Sequence, residues 1–159
     1  KPVFELMAPT QQHKLRKLLQ YHPTTAGGTM SPDYVWVIRG STVDMALEAV
    51  RIDDKTPRPL QNTVFVTEAD GRFIGSVGIV DLLRAERVSK VEDLELSTCS
   101  VHGNADFADV SVIMADYNLT ALAVIDAADN LIGAISSDDV IEALVPDDWR
   151  ARIEASTGV

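Results

Sequence analysis

Apolar and polar positions along the chain follow one pattern that is written twice. Residues 65–75 read as an apolar strand from Phe65, an acidic turn through Glu68 and Asp70, and a second apolar strand ending on Gly75. Residues 123–133 repeat this 58 positions later, from Ala123 through Asp126 and Asp129 to Gly133. Asp70 and Gly71 predict a tight hairpin, because glycine accepts the positive φ that such turns require. Asp129 and Asn130 predict a weaker counterpart, since asparagine takes that region less readily. Each hairpin runs into a short predicted helix, over residues 79–84 and 137–144.

The segment ahead of each hairpin has helical spacing. Val43, Ala46, Leu47 and Val50 fall at i, i+3, i+4 and i+7, one apolar stripe, with Ser41 or Thr42 as the cap. Phe107, Val110, Val112, Ile113 and Met114 mark the second copy, capped by Asn104 or Asp106. Short apolar strands precede both helices, at residues 34–38 and around Ser100 and Val101. The repeating unit is therefore β-α-β-β-α. Pro57 and Pro59 keep the connection over residues 52–61 out of helix, and residues 84–96 form a charged linker.

Two segments lie outside the duplication. Residues 11–21 form a basic amphipathic helix with Leu15, Leu18 and Leu19 inward, which reads as the end of something larger. Pro146 stops the last helix of the repeat, and Asp147 and Asp148 open a short helix over residues 149–155 with acids at its positive end.

Composition narrows the function classes. The 159 residues are 46% hydrophobic and 24% charged, which excludes disorder, collagen and coiled coil. No apolar run approaches the ~20 residues a membrane helix needs, and no signal peptide precedes Lys1, so this segment is expected to be soluble. The single cysteine, Cys99, cannot close an internal disulfide or a CxxC zinc site, and fits a reducing compartment. Fourteen basic against 24 acidic residues give a net charge of −10, which argues against nucleic acid as a partner and suits cations. No enzyme is visible. His13, His22 and His102 stand in no nucleophile or metal motif, and Gly71, Gly75 and Gly78 follow a hairpin rather than a strand entering a long helix. Trp36 and Trp149 are expected to pack, with Trp149 the alternative anchor for a partner.

Both copies carry a glycine six residues before an aspartate at the start of the last helix, Gly75 to Asp81 and Gly133 to Asp139. In this respect the chain resembles a pair of CBS domains, the Bateman module. The junction containing Tyr21, His22, Pro23, Gly27, Gly28, Met30 and Pro32 is similar to that between the amino-terminal helical domain and the CBS pair of MgtE-type magnesium transporters. Residues 115–122 resemble that family's second copy, and the likeness spans about residues 10–144. The resemblance implies an α/β fold, tandem CBS domains related by a pseudo-twofold axis. Residues 1–30 would be the end of the helical domain and the junction, 31–88 the first CBS domain, 89–146 the second, and 147–159 a carboxy-terminal helix and tail. It further implies a cytoplasmic regulatory domain of a membrane protein, a homodimer through the CBS domains, and a preceding helical domain and a membrane pore as partners. The module would sense intracellular magnesium, with ATP or AMP as a second ligand, and gate the pore.

The acidic positions carry over residue by residue. Asp138, Asp139 and Glu142 lie on the last helix of copy two, with Asp138 and Glu142 on one face, and Asp106 and Asp109 flank the preceding cap. Magnesium takes one or two carboxylates and keeps several waters. The competing reading is that these are helix-start acids complementing the dipole. Asn118 stands where the family has a carboxylate. For nucleotide, Ser136 and Asp139 match the hydroxyl and ribose-binding aspartate, with Val101, Ala121 and Ala123 around adenine. The competing reading there is an N-cap pair. Copy one keeps Asp81, but Gly78 replaces the hydroxyl, Val80 an arginine, and Asn62 and Thr63 the aromatic. The alternative function is a soluble adenine-nucleotide-binding regulator with no membrane domain, favoured by residues 145–152 in place of an acid-rich linker.

Overall fold

The computed structural model describes residues 7–157. Helix α1 (Pro9–Leu18) and the short α2 (Ala26–Thr29) precede the first repeat: β1 (Trp36–Ile38), α3 (Val43–Ile52), β2 (Thr63–Thr67), β3 (Phe73–Gly78) and α4 (Ile79–Arg84). The second repeat runs β4 (Ser100–His102), α5 (Phe107–Asp116), β5 (Ala121–Ile125), β6 (Leu131–Ser136) and α6 (Ser137–Leu144), and α7 (Asp147–Thr157) follows. The β-α-β-β-α unit read from the sequence is therefore present twice. Single turns of 3-10 helix occupy the two connections, at Arg58–Leu60 and Val91–Asp93.

Each repeat makes a three-stranded sheet with its middle strand parallel to one neighbour and antiparallel to the other. β1 pairs parallel to β2, Val37 opposite Val66, and β2 antiparallel to β3, Val64 opposite Val77. The second sheet copies this, Val101 opposite Val124 and Leu122 opposite Ile135. All five residues of β2 and of β5 are buried, since one face meets the repeat's own helices and the other meets the opposite repeat's sheet. Thr42 caps α3 by accepting from Met45 N–H, and Asp106 caps α5 by accepting from Ala108 N–H. The hairpins turn on Gly71 (φ +94°) and Asp129 (φ +62°). In the second turn the left-handed residue is thus Asp129, not Asn130. Asp126 makes this possible by accepting from both Ala128 and Asn130 N–H at 2.9 Å, which fixes the turn around a side chain that tolerates that region.

The two repeats are clasped by exchanged lead-in segments. Ser97, just before β4, pairs with Ser76 of the first sheet (N···O 2.8 and 2.9 Å), and Ser31, just before β1, pairs with Ala134 of the second (2.8 and 3.0 Å). Upstream, Val91 N–H donates to Ser41 O and Val43 N–H to Ser89 O, while Ala26 N–H donates to Ala105 O and Phe107 N–H to Thr24 O. Each lead-in thus holds the other repeat's strand-to-helix loop. Glu92 ties the first of these loops further. Its carboxylate accepts from Gly40 N–H at 3.0 Å, and that bond, after the one from its own backbone N–H, holds it below the usual carboxylate range.

This exchange explains the two glycines of the glycine-to-aspartate spacing. A Cβ on Gly75 would lie 2.8 Å from Leu96 Cβ and 3.1 Å from Ser97 O. One on Gly133 would lie 2.4 Å from Met30 Sδ. The crossing segment sits on the strand where a side chain would otherwise stand. Between the sheets, Phe65, Leu60, Ala121, Ala123 and Ala134 form a buried seam, with Tyr34 edge-on to Phe65 at 5.7 Å. The hairpin tips also bond across the pseudo-twofold, Phe73 N–H to Asp129 O and Leu131 N–H to Gly71 O.

Several side chains point elsewhere than the apolar pattern suggested. Leu19 is 71% exposed because α1 ends at Leu18, and Val112 is exposed because α5 turns Phe107, Val110, Met114 and one flank of Ile113 inward. Trp36 and Trp149 are each about half exposed and do not pack in a core. Trp36 opens β1, an edge strand of the first sheet, and is exposed there.

Candidate functional site

The two helix starts that carry the paired aspartates differ. At α6, Ser136 Oγ–H and N–H both donate to Asp139 Oδ2, at 2.7 and 3.0 Å, and Asp139 N–H donates back to Ser136 Oγ at 3.2 Å. Ser136 is buried and this is a complete capping box, so one carboxylate oxygen of Asp139 is committed to the fold. At α4 the cap residue is Gly78, which has no side chain to offer. Asp81 is exposed and makes no side-chain hydrogen bond or ion pair among the described residues. It borders a hollow of about 400 Å³ whose other walls are Leu94, Glu95, Leu96 and Ser97. Those residues belong to the lead-in of the second repeat, so the exchange described above builds this cleft. Nothing in local sequence pattern connects residues 94–97 to Asp81, and they were missed for that reason.

The remaining residues assigned to nucleotide from sequence lie in and beside the second sheet. Ala121 lies opposite Ser136 across the β5–β6 ladder, and Ala123 opposite Ala134, both buried in the inter-sheet seam. Val101 is in the core of the second repeat. Part of Val101 also borders an open hollow of about 680 Å³ beside α5, together with Ser100, His102, Asn104, Asp109 and Ile113. His102 has no partner motif in the sequence and was given no role there.

Of the carboxylates assigned to metal, Asp138 and Glu142 are exposed on α6 one turn apart, and neither carboxylate has a partner among the described residues. Asp109 is exposed in the first turn of α5, and Asp106 Oδ1 is occupied by Ala108 N–H at 2.9 Å. Among the described residues no three His, Cys, Asp or Glu side chains converge to hold a metal within one chain. Asn118, in the position of the family carboxylate, is at φ +52° directly after α5, where asparagine is favoured. His22 Nδ1 lies 2.8 Å from Thr24 Oγ1 and serves the turn, as a structural histidine. Tyr34, at the margin of the seam, has its hydroxyl pushed up to about 12 by burial and by the neighbouring Asp33.

Comparison with known proteins places these features. Residues 91–146 match the CBS domain family. The magnesium transporter MgtE of Thermus thermophilus is 30% identical over 141 residues, which is 88% of this chain and 31% of that protein. The chain thus spans under a third of the length of this curated relative. Among solved structures, the cytosolic domain of the Mg2+ channel MgtE in complex with ATP superposes with a TM-score of 0.80 at 31% identity, covering 90% of this chain and 58% of that one. The soluble part of a magnesium transporter gives 0.79 at 25% identity, covering 92% and 56%. None of the described helices is long and apolar enough to cross a membrane. The chain is a tandem pair of CBS domains, and its relatives include the cytosolic parts of MgtE magnesium transporters.

Proposed function

We propose that this CBS pair is the cytoplasmic magnesium-sensing module of an MgtE-type transporter and gates the membrane pore of that protein without catalysing a reaction. The observation that carries the reading is the match to MgtE across 88% of the chain, junction included. The donor set supports it. Asp138 and Glu142 offer two free carboxylates on one helix face, the number magnesium takes while keeping most of its water. Asp139 contributes at most its second oxygen, and Asp106 and Asp109 form a second acidic pair. The ion bridges two chains, Asp138 and Glu142 of one facing the acids of the other. The exposed apolar side chains Met45, Val80, Leu83, Ile141 and Leu144 on the outer helices supply a surface for that homodimer.

Charge relief is the proposed mechanism. With 24 acidic residues in 159, facing helices repel when magnesium is scarce, and bound ions hold them together when it is plentiful. Moving such a switch from 1:99 to 99:1 takes about 5.5 kcal/mol of differential binding, which several weakly held ions supply together. The test is the melting temperature of the chain in magnesium chloride against sodium chloride of equal ionic strength. Magnesium raises it in the parent, and Asp138→Asn combined with Glu142→Gln abolishes the rise. An undiminished rise in the double variant contradicts the site assignment.

For adenine nucleotide, the unengaged Asp81 in its cleft favours the first repeat over Ser136 and Asp139, whose groups are bonded to each other. The relative solved with ATP lends the ligand class. Titration calorimetry distinguishes the sites: Asp81→Asn removes ATP heat and Ser136→Ala leaves it, and the opposite result places the nucleotide in the second repeat.

A further inference from the structure

Among the described residues, helix α1 packs Leu18 against the core of the second repeat and pairs Lys14 with Asp33. Beneath it lies a hollow of about 240 Å³ bordered by His13, Lys14, Leu18, Met30, Pro32 and Ile132, so its middle is incompletely packed. Its ion pair, Lys14 with Asp33, is solvent-exposed and holds little. Just beyond its end, Tyr21 is half-buried and packs against the core of the second repeat. The ring lies in a notch whose walls are two glycines from separate segments. A Cβ on Gly27 of α2 would stand 2.2 Å from Tyr21 Cγ, and one on Gly103, in the β4–α5 turn, 2.4 Å from Cε1. Gly27 N–H donates to Gly103 O at 2.8 Å, which ties the two walls together.

We propose that Tyr21 is a latch: its ring, seated between Gly27 and Gly103, fixes the orientation of α1 against the second repeat. The requirement is steric. Any side chain at either wall expels the ring. A helix of ten residues has little stability of its own in water, so α1 depends for its order on what holds its end, Leu18 and the Tyr21 seat.

The test is amide hydrogen exchange on the full chain, comparing α1 with the central strand β5. In the parent, α1 amides are protected. Tyr21→Ala lowers that protection at least tenfold and leaves β5 within twofold, and Gly103→Ala does the same by evicting the ring. In the double variant, Gly103→Ala adds nothing to Tyr21→Ala, because the space is already vacant. Unprotected α1 amides in the parent, or unchanged α1 protection in Tyr21→Ala, overturns the proposal. So does equal loss in β5, which would make Tyr21 an ordinary core residue, or a further loss from Gly103→Ala once the ring is gone.

Discussion

Replacing Gly75 and Gly133 by alanine, one at a time, probes the exchanged lead-ins directly, because the two glycines face different obstacles. At Gly75 the added methyl meets Leu96 Cβ at 2.8 Å and Ser97 O at 3.1 Å. Both atoms are fixed to a backbone that is itself hydrogen-bonded to Ser76 at 2.8 and 2.9 Å. Relief requires the lead-in to lift from the strand. Overpacking of this kind costs about 1–3 kcal/mol, and weakening two backbone hydrogen bonds adds about 1 kcal/mol each. Alanine returns about 0.5–1 kcal/mol by restricting the unfolded chain, leaving a net loss of about 3 kcal/mol. At Gly133 the obstacle is Met30, with Sδ at 2.4 Å, Cγ at 2.7 Å and Cβ at 3.0 Å. The outer atoms turn with the flexible thioether side chain and only Cβ must give by a few tenths of an ångström, so the net loss there is smaller, about 1–2 kcal/mol. Urea denaturation followed by circular dichroism measures both, with the m-value constant if only the native state is affected. Equal losses, or a larger loss at Gly133, would refute the claim that the backbone of residues 96–97 lies on β3.

Three further outcomes follow from named contacts. Ser136→Ala removes the capping box of α6 and lowers stability by about 1 kcal/mol, whereas Asp81→Asn breaks no hydrogen bond and costs less, only the dipole interaction of a first-turn acid, about 0.3–0.5 kcal/mol. Tyr34 titrates near 12 when folded and near 10 when unfolded, so the folded state binds its proton more tightly. Its contribution, up to about 3 kcal/mol, is whole below pH 10 and is lost as pH rises from 10 to 12. Tyr34→Phe removes that slope from an alkaline stability profile. Gly71→Ala places a Cβ at φ +94° and costs about 1–2 kcal/mol, while Asp129→Gly costs less, both read as shifts in melting temperature.

Periodicity carried most of the fold. The stripe at Val43, Ala46 and Val50, the hairpin at Asp70 and Gly71, and the second copy of both are local patterns, and local patterns survive into the structure. The sequence-level errors cluster where the answer depends on what crosses over. Val112 and Trp36 are apolar at spacings that suit a core, yet each is more than half exposed on its helix or edge strand. The left-handed residue of the second hairpin was misplaced by one because Asp126 stabilises a turn that asparagine was expected to carry. The candidate site was legible only in part for the same reason. Asp81 and Asp139 stand at identical spacing from a glycine, but Gly78 against Ser136 decides which carboxylate is free. The walls of the Asp81 cleft arrive from the opposite repeat, a pairing that no window of sequence contains. Gly27, Gly28 and Gly103 are similar: Gly28 makes room for the carbonyl of His22, 2.2 Å from where a Cβ would stand, a close approach visible only once the chain is folded.

Small-angle scattering of the chain across a magnesium titration, at constant ionic strength, tests the central claim of ion-driven association most directly. The account predicts that scattering in chelator corresponds to a monomer or a loosely opened pair, and that millimolar magnesium yields a compact dimer, reversed by chelation. Curves that superimpose in chelator and in magnesium would contradict it.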